Sequence, residues 1–223
     1  MVDTTELEIP KTQLRVYLLI RDLQRQFAAQ LGTPLRARGY PAYEGSHALI
    51  IEVAPALAIQ RITDLAIGAV PDIEPGILYV ERHFGVLQLH SSNLDHVMRA
   101  GAAVLDGIQA HAEDQHQPQI LYADVIEGVS DQQAVIINRS RTGSMLLPGS
   151  SLLVYEVVPA LFAAVAANEA ERAVPGVTLV DVQIIGAAGR IYLSGTTEEV
   201  VQARDEITAV LRAIEGTEQV ETR

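Results

Sequence analysis

Apolar and polar residues alternate through residues 14–20, with Leu14, Val16, Leu18 and Ile20 on one side, the period-two signature of a half-buried strand. Residues 120–126, followed by 134–138, supply the counterparts in the second half and are read as strands. Continuous apolar runs at 48–53 and 152–158 predict strands buried on both faces. Pro55 and Pro159 follow these runs directly, and proline suits a first helical turn because its missing N–H has no partner there. Each strand should therefore hand over to a helix. Leu57, Ile62, Leu65, Ala66 and Ala69 share the apolar side of the first helix. Phe162, Val165, Ala166 and Ala170 share that of the second, with Glu169, Glu171 and Arg172 outside. Pro71 and Pro175 end them. Strand pairs follow, 77–81 with 86–89 and 177–185 with 190–193. Each half closes on a helix, with Val97, Gly101, Val104 and Ile108 on one face of the first and Val200, Ile207, Val210 and Ile214 on that of the second. Ser92 or Asn93, and Thr196 or Thr197 ahead of Glu198 and Glu199, are suitable N-caps.

This matching order reflects an internal repeat. Glu52-Val53-Ala54-Pro55-Ala56-Leu57 returns as Glu156-Val157-Val158-Pro159-Ala160-Leu161, an offset of 104 residues. Without a gap, Ala66, Ala69, Val70 and Pro71 fall on Ala170, Ala173, Val174 and Pro175, and Gly85 and Leu89 on Gly189 and Leu193. Such a period indicates a duplicated domain, since solenoid repeats run only ~20–50 residues. The expected organisation is an extension at 1–11, a first domain at 12–110, a polar linker at 111–117, a second domain at 118–217 and a tail at 218–223. The fold class is α/β, an α+β sandwich present twice.

Composition narrows the chemistry. The 223 residues contain no Cys, which removes disulfides, thiolate metal sites, cysteine-ligated clusters and a cysteine nucleophile. The net charge of −12 argues against a nucleic-acid partner or an anionic membrane surface. Residues 1–10 lack the basic and apolar regions of a signal peptide, so a cytoplasmic location is expected. Residues 152–167 form the most apolar stretch, but Glu156 and Pro159 interrupt it, and a membrane helix needs ~20 apolar residues.

Catalytic constellations are missing. The histidines, His47, His83, His90, His96, His111 and His116, form no metal-ligand pair on a helix face, and all but His83 are read as surface or loop residues. No nucleophile elbow, Walker loop or dinucleotide fingerprint is present. The turn Gly186-Ala187-Ala188-Gly189 lies between strands, not before a helix, so it is read as a tight strand-to-strand turn in preference to a phosphate cradle. Arg36-Ala37-Arg38 and residues 138–144 are short basic loops, read as solvated. One contrast stands out in the repeat. Where the second copy has Gly186-Ala187-Ala188-Gly189, the first has Glu81-Arg82-His83-Phe84-Gly85. Adjacent opposite charges on a turn are either an idle surface pair, worth ~0–1 kcal/mol, or parts of a symmetric device.

The blocks LRVYLLIRDLQRQ (14–26), VERHFG (80–85), VIINRSRTGSM (135–145) and ANEA (167–170), with the two Glu-Val-x-Pro-Ala helix starts, resemble the bacterial microcompartment shell proteins. The resemblance spans about residues 13–215 and is to the gated carboxysome type with two circularly permuted domains. It implies a homotrimeric, pseudohexagonal tile, stacking as a dimer of trimers, that joins hexameric and pentameric shell proteins and passes small metabolites, with no enzyme activity and no cofactor. It also implies that the turn at Glu81, Arg82, His83, Phe84 and Gly85 lines a pore, with Glu81 and Arg82 as the gate and the turn at residues 186–189 beside it. His83 would add a pH dependence, unless it simply packs beside Phe84. The tile-edge lysine of such domains falls on Gly68 and Arg172, where arginine can substitute but glycine cannot. A trimeric small-molecule sensor is the alternative the residues leave open.

Overall fold

The computed structural model describes residues 11–32 and 39–218. Residues 1–10, Arg36-Ala37-Arg38 and residues 219–223 lie outside the described residues. The first copy runs β1 (Gln13–Ile20), α1 (Arg25–Gly32), β2 (His47–Ala54), α2 (Ile59–Ala69), β3 (Glu74–Glu81), β4 (Phe84–Ser91) and α3 (Leu94–Ile108). The second repeats it as β5 (Gln119–Ile126), α4 (Asp131–Ser140), β6 (Ser151–Val158), α5 (Phe162–Ala173), β7 (Thr178–Gln183), β8 (Gly189–Gly195) and α6 (Thr197–Arg212). Each copy forms a four-stranded antiparallel sheet, ordered β1-β2-β4-β3 and β5-β6-β8-β7. Asn93 and Thr196 are the caps of α3 and α6, the latter in a reciprocal capping box with Glu199. Among the described residues no helix is long and apolar enough to cross a membrane.

The structure corrects the pattern in three places. Residues 134–138, read as a strand, lie in α4, where the Ser130 hydroxyl accepts the Gln133 N–H and starts the helix. Residues 25–32, to which the pattern assigns no element, form α1. The prolines do not open the long helices directly: Pro55 precedes a single 3-10 turn and α2 begins at Ile59, while α5 begins at Phe162. Leu57 and its repeat partner Leu161 both precede their helices, yet Leu57 is 72% exposed and Leu161 is fully buried.

Three apolar clusters explain this difference. One face of the first sheet, with Leu49, Ile51 and Leu87, packs on Ile59 and Ile62 of α2 and Val97 and Val104 of α3. Its opposite face, with Val16, Leu18, Ile20 and Ile50, joins Phe27 and Leu31 of α1 and the helices of the second copy in one continuous core. The corresponding face of the second sheet has only a small cluster under α4, with Val129, Ala134, Leu146, Leu152 and Val180 buried.

The two copies are therefore joined through α1, which leans on α5. The backbone N–H of Gln24 donates to Asn168 Oδ1 at 2.8 Å, and Asn168 is fully buried. The Glu171 carboxylate accepts the N–H groups of Gln26 at 2.9 and 3.0 Å and of Phe27 at 3.1 Å, satisfying donors that a helix start leaves without partners. The Gln26 amide donates to the Val177 carbonyl and accepts from the Leu179 N–H. Arg172, reached from the same helix face, donates to the carbonyls of Arg21 and Asp22. Charge-assisted bonds of this kind carry more than neutral ones. Glu171→Ala should lower the unfolding free energy by about 2 kcal/mol, measured by urea denaturation, with Glu171→Gln losing less because it keeps an acceptor.

Candidate functional site

The hairpin of β3 and β4 is paired out to Glu81 opposite Phe84, so Arg82 and His83 alone form its loop. In the second copy pairing stops at Gln183 opposite Arg190, and residues 184–189 make a wider turn than the pattern suggests. The 104-residue register puts Arg82 on Gly186, and both have positive φ, 46° and 135°. The two angles are different conformations; glycine takes either without penalty, whereas a side chain near 46° costs roughly 1–2 kcal/mol. An arginine thus stands where the backbone favours glycine. Gly85 and Gly189 share another constraint: a Cβ on either would collide with the carbonyl of Ala56 or Ala160.

Arg82 is the outermost group, its side chain 86% exposed, and its Nε lies 3.9 Å from Glu81 Oε1. At that distance and exposure the pair holds neither side chain strongly. His83 is also exposed, while Phe84 is half-buried. In the second turn Ala187 is exposed, Gly186 half-buried, and Ala188 and Gly189 buried. The two positions read as tile-edge candidates differ as well: Gly68 is exposed with open space at its Cβ, and Arg172 also sits 3.4 Å from Glu169.

Beneath the first turn lies a cluster that the pattern does not reveal. Arg15 is the extra residue of a bulge in β1, between Leu14 opposite Val53 and Val16 opposite Glu52. Its Nε donates to Glu52 Oε1 at 2.7 Å, and its guanidinium lies 3.7 Å from the centre of the Phe84 ring. Its Nη1 is 3.3 Å from Nε2 of His116, which lies in the short linker. Glu52 is buried; burial pushes its carboxyl pKa up, and Arg15 opposes that shift. The repeat hints at this: a glutamate kept at 52 and 156 inside apolar runs requires a cation. In the second copy the partner is Arg190, opposite Glu156 on β8 at 2.9 Å.

His90 and His116, read as surface residues, are buried, because the sheet face that carries His90 is covered by the chain leading into β2 and His116 is tucked against β1. Among the described residues no three His, Asp or Glu side chains could hold a metal ion. A polar cleft of about 570 Å³ between α1 and β7 lies away from both turns, and Gln26 and Thr142 in its wall bond to the protein itself.

Comparison with known proteins fits this duplicated arrangement. The family model for the CsoS1D N-terminal domain matches residues 14–114. Over 206 residues the chain is 37% identical to the carboxysome shell protein CcmP of Synechococcus elongatus, covering 92% of this chain and 95% of that protein. The chain belongs to the bacterial microcompartment shell proteins. This shell protein is also 36% identical to the carboxysome shell protein CsoS1D of Prochlorococcus marinus, over 93% of its length and 79% of that protein. Among solved structures, the double-ringed trimeric shell protein MSM0271 from the RMM microcompartment aligns with a TM-score of 0.90 at 65% identity, covering 93% of this chain and all of that one. The fused permuted hexameric shell protein MSM0275 from the same compartment aligns at 0.85 with 42% identity, over 91% of this chain and all of that one.

The buried histidines predict a pH dependence of stability for this shell protein. Burial lowers the pKa of His90, with Glu74 opposing; burial and then Arg15 lower that of His116. A histidine whose folded-state pKa lies below its unfolded value adds stability above the unfolded pKa and loses it as pH falls through the folded one. Thermal melts should therefore show a fall in stability between neutral pH and pH 5, and His116→Gln should lose less over that range.

Proposed function

We propose that this chain forms a trimeric tile of a microcompartment shell in the cytoplasm, with a central pore gated by Glu81 and Arg82. The contrast between Arg82 and Gly186 carries the gate assignment. Retaining a charged side chain at a position where glycine relieves strain implies that the side chain itself is needed. Three copies of Arg82 around one axis repel, so a closed pore requires each to meet a carboxylate, and Glu81 of a neighbouring chain is the nearest in sequence register. Side chains swung away from the axis leave a wide opening. The two arrangements form a switch that a ligand shifts only by binding one of them better. The role is structural and permissive, not catalytic, in keeping with the relatives, which are shell proteins.

The unfinished cluster of the second copy supports the trimer. The exposed strand β5 and helix α4 repeat β1 and α1, which are buried on α5. Ile136 is 68% exposed, whereas Gln30, its counterpart on α1, is buried. Leu57 beside α2 is exposed where Leu161 is covered. A second copy of this chain that lays α4 on α2 covers both, and three such contacts close a ring of alternating domains. Fully burying one leucine is worth roughly 1.5–3 kcal/mol, so these residues give the contact real strength. Two such rings, stacked, complete the assembly, and the relative MSM0271 is itself a double-ringed trimer.

Leu57→Asp should yield folded protein with the mass of one chain in light scattering, since the residue is exposed in the single chain. A persistent trimer would count against this contact. Arg82→Ala should widen the constriction on the threefold axis in a cryo-electron-microscopy map of the trimer; a constriction that stays shut refutes the gate.

A further inference from the structure

A gate built from Glu81 and Arg82 works only if the strained turn that carries them is held in place. Resting on that reading of the gate, we infer that Arg15 is its positioning residue: stacked on Phe84 and anchored by Glu52, it fixes the turn with Arg82 in its left-handed conformation.

Both copies place a glutamate on the same sheet face, Glu52 buried and Glu156 half-buried, and a carboxylate withdrawn from water calls for a cation. The second copy supplies one from its direct cross-strand neighbour, Arg190. The first has Val86 opposite Glu52, so its cation comes from farther away. The β1 bulge provides it by adding Arg15 beside Glu52. At the corresponding bulge in β5 the extra residue is Leu121. Arg15 does more than neutralise Glu52, because its guanidinium also lies over the Phe84 ring, 3.7 Å from the centroid. Phe84 is the first β4 residue after the two-residue loop, and its register partner in the second copy is Ala188. The strained turn is thus the one with a clamp, and the turn that has glycine at the same position has none.

A conformation disfavoured by itself persists only where its surroundings determine it. On one side Gly85 is pressed against the Ala56 carbonyl and Ile59; on the other Arg15 covers Phe84. Arg15 is held in turn by a 2.7 Å bond to a buried carboxylate and lies with its side chain only 17% exposed. One of its two amino groups, Nη1, lies 3.3 Å from His116 Nε2, which ties the arrangement to the segment joining the two copies. Arginine is specific here, since lysine can balance Glu52 but has no planar group to lie on the ring.

Cryo-electron microscopy of the full-length assembled protein, with sorting of the turn conformations, tests this. In Phe84→Leu and Arg15→Lys the ratio of turns with Arg82 at positive φ to all others should fall about fivefold, while Phe84→Tyr keeps the native ratio. All three variants keep a counter-charge for Glu52, and trimer mass and melting temperature report any general loss of structure. A native ratio in both Phe84→Leu and Arg15→Lys overturns the inference. Arg82→Ala, read in parallel, separates the two ideas. If it widens the pore while the clamp variants change nothing, the clamp alone is wrong; if it leaves the pore shut while they release the turn, the gate is wrong and the clamp stands.

Discussion

The N-terminus of α1 is completed by a carboxylate from the other copy, and the rest of the chain is arranged around that contact. Gln26 and Phe27 give their N–H groups to Glu171, so α1 is held against α5 and not only against its own sheet. Because α1 lies there, Val16, Leu18 and Ile20 find a covering and the two domains share one core. Asn168 and Arg172 extend the same contact to Gln24 and to the carbonyls of Arg21 and Asp22. The first copy's own helices α2 and α3 make a separate core on the opposite face, which leaves each domain able to hold its shape while the shared core fixes their relation.

Duplication also gave the two turns different supports. A glutamate paired with arginine is common to both copies, buried at Glu52 and half-buried at Glu156, but Arg190 serves one from within its sheet and Arg15 serves the other from a bulged strand. Once the cation comes from β1, it can meet the aromatic residue at the base of the loop, which the second copy replaces with Ala188. The charged turn and the small turn thus differ in their tips and in what lies beneath them. One ancestral hairpin has been fitted for two settings.

Much of the fold was legible in the sequence because the repeat lets each copy check the other. The strands at 48–53 and 152–158 and the closing helices follow from periodicity and end chemistry, which narrows the caps to Ser92 or Asn93 and Thr196 or Thr197, and the structure selects Asn93 and Thr196. Residues 134–138 misled because Val135, Ile136 and Ile137 make a β-branched run, the composition of a strand, on a helix whose apolar side faces outward in the single chain. Leu57 misled for a related reason: in the single chain it is exposed and takes no part in its own core. The charge contrast between the turns was visible from residues, but Arg15 was not. It is 66 residues from Arg82's neighbour Glu81, and only the bulge in β1 brings it to the base of the hairpin.

The helix caps also set an order of events in time. Ser130 begins α4 from within its own segment, whereas α1 takes acceptors from Glu171 and Asn168. The partner of α1 is carried on the same chain, at an effective concentration on the order of millimolar, so that docking is a first-order step indifferent to how much protein has been made. In the proposed trimer, the partner of α4 arrives by diffusion. A helix that starts itself can wait for that encounter already formed, which makes joining chains a matter of concentration and leaves folding independent of it.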